Sequence, residues 1–155
     1  MGENPKCWSG KLHYLTLSIS TDINPHFQLC VSPDYVLVPK TSLERFVALL
    51  HKAFSSFFPE GALSSPDMGR IVSQAHFSRL TSLLSATKGK LVAGGSWGPG
   101  GENAQDRGIE TTIVVFEDLK QAVNDVLLEG ELFGPILPVV GIENLDEGLR
   151  FVREK

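Results

Sequence analysis

The side chain best suited to covalent chemistry in this sequence is the thiol of Cys30. A cysteine thiolate can attack an electrophilic carbon if the site is partly open and a helix N-terminus or a cation lowers the thiol pKa. Cys30 lies between Leu29 and Val31 in the stretch FQLCVSPDYVLVP. This composition by itself favours a small, buried apolar residue, since free cysteine is among the most buried residue types. With Cys7 as the second cysteine, a disulfide framework is not indicated, and reactivity and packing both stay open.

A carboxylate and an aromatic ring come together in the stretch EGELFGPILPVV. Glu131 stands two residues before Phe133, and the following Gly134 and Pro135 predict a turn that leads into a strand. An acid and an aromatic face presented at such a turn could contact a ligand. The residues alone equally allow an acidic surface position followed by a core phenylalanine.

Four residues near the start of the chain, Cys7, His13, His26 and Cys30, could together ligate a metal. The His26 to Cys30 spacing is typical of zinc ligands, whereas the spacing from Cys7 to His13 is wider than usual. We therefore predict no metal site, with zinc as the alternative. His51 and His76 fall in predicted helices, where an ordinary surface histidine or one with its hydrogen bonds satisfied is expected.

Two long helices are predicted between the candidate residues. Thr41 and Glu44 have the spacing of a capping box, and apolar residues recur at helical spacing up to Pro59. QAHFSRLTSLLSATKG repeats the helical pattern, with Gly89 in its C-cap region. Further helices are expected around 119–128 and in NLDEGLRFVREK, where Asn144 or Asp146 can cap the first turn.

Strands are predicted between these helices, in VSPDYVLVP, KLVAGG, IETTIVV and FGPILPVVGI, and a weaker strand is predicted near residues 12–20. The segment 96–108 has the composition of an exposed loop. Alternation of strands and helices predicts an α/β fold with an open, largely parallel sheet flanked by helices.

Charge and hydropathy narrow the possible partners. The 155 residues carry 18 acids and 14 bases without a basic cluster, so nucleic acid is not an expected partner. No apolar run approaches the roughly 20 residues needed to cross a bilayer, and the first residues do not resemble a signal peptide. A single domain in the cytoplasm is the expectation.

Four stretches in this order, QLCVSPDYVLVP, GRIVSQAHFSRL, GKLVAGG and ELFGPILPVV, closely resemble the aldehyde dehydrogenase superfamily, in particular its class 3 or fatty aldehyde branch. The resemblance covers residues 28–155, which it identifies as part of the catalytic domain. Residues 1–27 form an atypical N-terminal segment that does not match the family.

This resemblance implies that Cys30 is the catalytic nucleophile. The implied reaction is the oxidation of a small-molecule aldehyde to a carboxylic acid through a thiohemiacetal and a thioester, with NAD or NADP as hydride acceptor. Glu131 corresponds to the glutamate that binds the nicotinamide ribose, and Phe133 to the aromatic residue beside that end of the cofactor. The family is typically homo-oligomeric.

The sequence also departs from the family pattern. Phe27 stands where the family usually has glycine, and Pro25 where it has asparagine. The general-base glutamate would precede Met1, and the cofactor-binding domain is expected to be absent. We therefore expect the activity of this chain to be impaired or lost. The alternative is a non-catalytic pseudoenzyme or interaction fragment that pairs with a full-length relative.

Overall fold

The computed structural model describes Gln28, residues 32–101 and residues 103–155. The weak strand predicted near residues 12–20 lies outside these described residues. Among the described helices, none is long and apolar enough to cross a membrane.

Four segments rich in β-branched residues form one sheet: β1 (Val36–Pro39), β2 (Lys90–Ala93), β3 (Thr112–Phe116) and β4 (Ile136–Ile142). Their order in space is β1-β4-β3-β2. Strands β1, β4 and β3 are parallel, whereas β2 joins the edge of β3 in the antiparallel direction. The prediction of an α/β fold with a largely parallel sheet flanked by helices is confirmed, with β2 making the sheet mixed.

The helices are α1 (Lys40–Phe57), α2 (Gln74–Ala86), α3 (Leu119–Ala122) and α4 (Leu145–Glu154). The predicted capping box of α1 is wrong, because the helix begins one residue before Thr41 and its N-cap, Pro39, makes no side-chain bond. Asn144 does cap α4, accepting a hydrogen bond from the backbone N–H of Glu147 at 3.0 Å.

The helix predicted over 119–128 is broken into α3 and a 3₁₀ turn at Val126–Leu128. The break follows from Asp125, a buried carboxylate with three donors around it. Its oxygens accept from the Thr87 hydroxyl at 2.8 Å, the Lys88 N–H at 2.8 Å and the Leu127 N–H at 3.0 Å. Asp125 thereby caps the 3₁₀ turn and ties it to the end of α2.

Gly89 lies in the predicted C-cap region of α2, two residues beyond the C-cap residue Thr87. Gly89 is also required by packing at the entrance to β2. A Cβ atom there would lie 2.3 Å from Cγ1 of Val114 and 2.7 Å from Cζ of Phe116. The backbone can approach the sheet at this point because glycine has no side chain.

Both faces of the sheet are covered, and β4 at its centre is buried throughout. Helix α1 covers one face, and α2, α3 and α4 lie on the other, so β4 needs apolar residues on both sides. The first face contains Leu43, Phe46, Leu50, Phe54, Ile113, Leu137 and Val139. The second contains Phe77, Leu80, Leu84, Val114, Phe116, Val140 and Ile142.

Candidate functional site

Glu131, Leu132 and Phe133 form the connection that leads into Gly134, Pro135 and β4, and this segment is called here the 131–133 turn. Phe133 has a φ of +53° and is the one non-glycine residue with positive φ in the described part of the chain. The left-handed conformation costs a residue with a Cβ atom about 1–2 kcal/mol, and such strain is concentrated at functional sites. The turn is thus held in a conformation that its sequence does not favour.

The residues that follow anchor the turn to the core. A Cβ atom on Gly134 would lie 2.5 Å from Cδ1 of Leu80 in α2. The carbonyl of Pro135 accepts a hydrogen bond from the N–H of Thr112 at 2.8 Å, which joins the turn to β3. Glycine permits the close approach to α2, and proline then leads directly into the strand, as the sequence predicts.

Two side chains of α2 bind the backbone of the 131–133 turn. Arg79 donates from Nη1 to the carbonyl of Glu131 at 3.3 Å and from Nη2 to that of Leu132. His76 Nε2 lies 2.8 Å from the carbonyl of Phe133, and its Nδ1 lies 3.4 Å from Arg79 Nε. A neutral His76 with the proton on Nε2 satisfies both contacts, because it donates to Phe133 and accepts from Arg79.

The turn is also bound from the segment that follows Cys30. The backbone N–H of Leu132 donates to Oδ1 of Asp34 at 2.8 Å, and Asp34 lies four residues after Cys30 in the sequence. Burial raises the pKa of Asp34, and the nearby Glu131 carboxylate adds to the rise. The hydrogen bond from Leu132 and the positive charge of Arg79 act in the opposite direction and lower the pKa.

The Glu131 side chain is exposed beside the half-buried Phe133. Its carboxylate forms no hydrogen bond or ion pair with the residues that the structure describes; the contact from Arg79 is to the Glu131 carbonyl. An exposed carboxylate without a protein partner can accept two hydrogen bonds from neighbouring hydroxyl groups. The arrangement therefore suits a diol, with an aromatic side chain close by.

A cleft of about 580 Å³ borders the turn at Phe133 and is also lined by Gln28 and by residues 65–66 and 68–72. Gln28 accepts a hydrogen bond from the N–H of Val72 at 3.1 Å. The buried guanidinium of Arg107 donates to the carbonyl of Ile71 at 2.9 Å and so supports the same wall. One residue of the cleft wall, Gln28, precedes the candidate nucleophile Cys30 by two positions in the sequence.

The structure describes only some of the site residues predicted from the sequence. Glu131 and Phe133 lie in one turn ahead of a strand, as expected from the Gly-Pro pair. Cys30 lies outside the described residues, and so do Cys7, His13 and His26 of the zinc alternative. In the described ranges, no group of three or more His, Cys, Asp or Glu side chains could hold a metal ion.

Sequence reasoning missed the contacts of Asp34 and Arg79 with the turn. His76 is a histidine with its hydrogen bonds satisfied, which was one of the two expected states. The three residues contact a turn that is 52 to 98 positions away in sequence. No local pattern reports a contact over such a separation, because it depends on how α2 and β1 pack beside β4.

Residues 24–154 match the model of the aldehyde dehydrogenase family. The chain is 38% identical over 128 residues to aldehyde dehydrogenase family 3 member B1 of Rattus norvegicus, covering 83% of this chain and 25% of that protein. The substrate-bound state of Staphylococcus aureus AldH has a TM-score of 0.71 at 30% identity, covering 90% of this chain and 29% of that one.

Aldehyde dehydrogenase of Mycobacterium tuberculosis, crystallised with NAD⁺, shares the fold at a TM-score of 0.65 and 19% identity, covering 87% of this chain and 28% of that one. The chain spans about a fifth to a quarter of the length of the curated relatives it matches. The match to a family 3 protein confirms the resemblance found in the four sequence stretches. The chain belongs to the aldehyde dehydrogenase family.

Proposed function

We propose that this chain carries the nucleophile and the nicotinamide-ribose contacts of an NAD(P)-dependent aldehyde oxidation, with Cys30, Glu131 and Phe133 in these roles. The observation that carries the proposal is the hydrogen bond of 2.8 Å from Leu132 to Asp34. It joins the turn between Glu131 and Phe133 to the segment that follows Cys30. The nucleophile and the residues that contact the cofactor must be held in a fixed relative position if hydride transfer is to occur.

The residues of the turn fit the proposed cofactor. Glu131 is exposed, and its carboxylate can accept hydrogen bonds from both hydroxyls of a ribose. Two such bonds fix the rotation of the sugar as well as its position. Phe133 offers an aromatic side chain to the ring beside that sugar. NAD or NADP, when bound, supplies a hydride acceptor.

Cys30 would act as nucleophile in its thiolate form. Attack on the aldehyde carbon forms a carbon–sulfur bond and moves the carbonyl electron pair onto oxygen. The backbone N–H of Cys30 can donate to this oxyanion. After oxidation, water cleaves the carbon–sulfur bond of the thioester, releasing a carboxylic acid and returning the thiol.

The proposed substrate is a small-molecule aldehyde. A fatty aldehyde is the proposed chemical type because of the resemblance to the class 3 branch. The cleft beside Phe133 has apolar residues in its wall, among them Met68, Ile71 and Val72, which suits an alkyl chain. Homo-oligomeric assembly and a cytoplasmic location belong to the same proposal.

The proposal is tested by NADH formation from NAD and octanal with the purified chain, followed by absorbance. Because impaired activity is expected, we expect slow NADH formation that is lost in Cys30→Ala and kept in Cys7→Ala, which serves as the matched control. NADH formation that persists in Cys30→Ala would contradict the role of Cys30. A wild-type chain that forms no NADH but co-purifies with a full-length relative would favour the non-catalytic alternative.

A further inference from the structure

We propose that Asp34, His76 and Arg79 are positioning residues that fix the backbone of the 131–133 turn and so set the place of the Glu131 carboxylate. This inference rests on the proposed cofactor role of Glu131. It adds three residues that contact the turn from two different parts of the fold.

The first support is the number of backbone groups that are bound. The carbonyls of Glu131, Leu132 and Phe133 are three consecutive acceptors, and each receives a hydrogen bond from a side chain of α2. Turns are ordinarily held by their own backbone or by water. Here an arginine and a histidine from a packed helix hold every carbonyl of the turn.

The second support is the opposed contact from Asp34. The peptide between Glu131 and Leu132 donates its N–H to Asp34 at 2.8 Å, and its carbonyl accepts a hydrogen bond from Arg79 at 3.3 Å. A peptide bound at both ends cannot rotate without breaking one of these bonds. Because this peptide is attached to the Cα atom of Glu131, its orientation determines where the carboxylate begins.

The third support is the backbone of Phe133, which is held at a φ of +53°. Strain of this kind persists when the surroundings determine the conformation more strongly than the residue does. The hydrogen bond from His76 to the Phe133 carbonyl is one such determinant. The rings of His76 and Phe133 also meet edge to face, with centroids 6.4 Å apart.

The exposed carboxylate of Glu131 makes positioning necessary. Within the described part of the chain, no side chain binds that carboxylate, so its placement depends on the backbone that carries it. Loss of Arg79 would allow the turn to take other conformations. The carboxylate would still be present and charged, but it would meet a ribose less often in the required geometry.

The test uses nicotinamide mononucleotide, which contains the nicotinamide and ribose but no adenosine. Its dissociation constant for the full chain is measured by NMR chemical-shift titration for wild type, Glu131→Gln, Arg79→Gln and the double variant. Arg45→Gln is the matched control, because Arg45 is also an exposed arginine in a helix interior. Nicotinamide without ribose is the control ligand.

We expect Glu131→Gln to weaken nicotinamide mononucleotide binding about tenfold, as for the loss of a charge-assisted hydrogen bond. Arg79→Gln should weaken binding several-fold, and only when Glu131 is present, so that the double variant binds like Glu131→Gln alone. Arg79→Lys, which retains charge and donors, should recover part of the loss. Asp34→Ala, which removes the acceptor of the Leu132 N–H, gives a second variant with the same expected dependence on Glu131.

Two results would overturn the inference and leave the cofactor role of Glu131 intact. One is weaker binding in Glu131→Gln with unchanged binding in both Arg79→Gln and Asp34→Ala. The other is an Arg79→Gln loss of the same size with and without Glu131, which would mean that Arg79 acts elsewhere. Binding that Glu131→Gln leaves unchanged would instead contradict the proposed cofactor role and the positioning inference together.

Discussion

Leu132 donates its backbone N–H to the carboxylate of Asp34 across 98 positions of sequence. Asp34 stands at the approach to β1, and Leu132 stands at the approach to β4, which is paired with β1 in parallel. Because both segments enter the same end of neighbouring parallel strands, the fold brings them together. Strand pairing thus sets the relation between the 131–133 turn and Asp34.

The Asp34 carboxyl should make stability depend on pH. Burial raises its pKa above the ordinary 3.8, so the folded state binds a proton more readily than the unfolded state. Its contribution to stability is therefore full below pH 3.8 and declines as pH rises through the higher folded pKa. Glu131 adds to the rise in pKa, whereas Leu132 and Arg79 oppose it.

The measurement is the free energy of unfolding of wild type and Asp34→Asn between about pH 3 and pH 7, the range around the ordinary aspartate pKa. The wild type should lose stability relative to Asp34→Asn as pH rises through the lower part of this range. A difference that stays constant, or that changes in the opposite direction, would show that burial does not dominate at Asp34.

Gly89→Ala should destabilise the chain by about 1–3 kcal/mol, as for overpacking of a core. The added methyl group would meet Val114 and Phe116 beneath the start of β2. Gly130→Ala is the matched control, because no atom lies within 4 Å of its added Cβ. Urea unfolding should separate the two variants, and equal midpoints would contradict the packing requirement at Gly89.

Asp125→Ala should destabilise the chain by about 3 kcal/mol, since buried donors would lose their acceptor. The affected groups are the Thr87 hydroxyl and the backbone N–H groups of Lys88 and Leu127. Asp67→Ala, at an exposed position, should change stability by less than about 0.5 kcal/mol. Amide hydrogen exchange at Lys88 and Leu127 should become faster in Asp125→Ala. Unchanged exchange at these two residues would contradict the role of Asp125 as their acceptor.

The sequence predicted the elements that depend on local pattern. The strands of VLVP, KLVA, TIVVF and ILPVVGI follow from β-branched residues, and α1 and α2 from apolar spacing. The Asn144 cap could be predicted from the sequence because Asn144 and its partner Glu147 belong to the same helix end. The break after α3 was missed, since Asp125 gains two of its partners from the end of α2.

In the candidate site, too, the features that depend on local sequence could be predicted, whereas the contacts between distant residues could not. Glu131 and Phe133 could be placed in one turn because Gly134 and Pro135 are adjacent to them. Asp34 and Arg79 could not be connected with that turn, because their contacts depend on the packing of β1 and α2 around β4. The roles of Cys30, Glu131 and Phe133 came from family resemblance and stay predictions.

The central claim is that Cys30 forms a covalent bond to the aldehyde carbon, and it is tested most directly by mass spectrometry. The chain is incubated with octanal and NAD, quenched in acid, and its peptides are mapped. We predict an octanoyl thioester on Cys30 that requires NAD, is absent from Cys30→Ala and persists in Cys7→Ala. A chain that acquires no acyl group at Cys30, or acquires it equally at Cys7, would contradict the account.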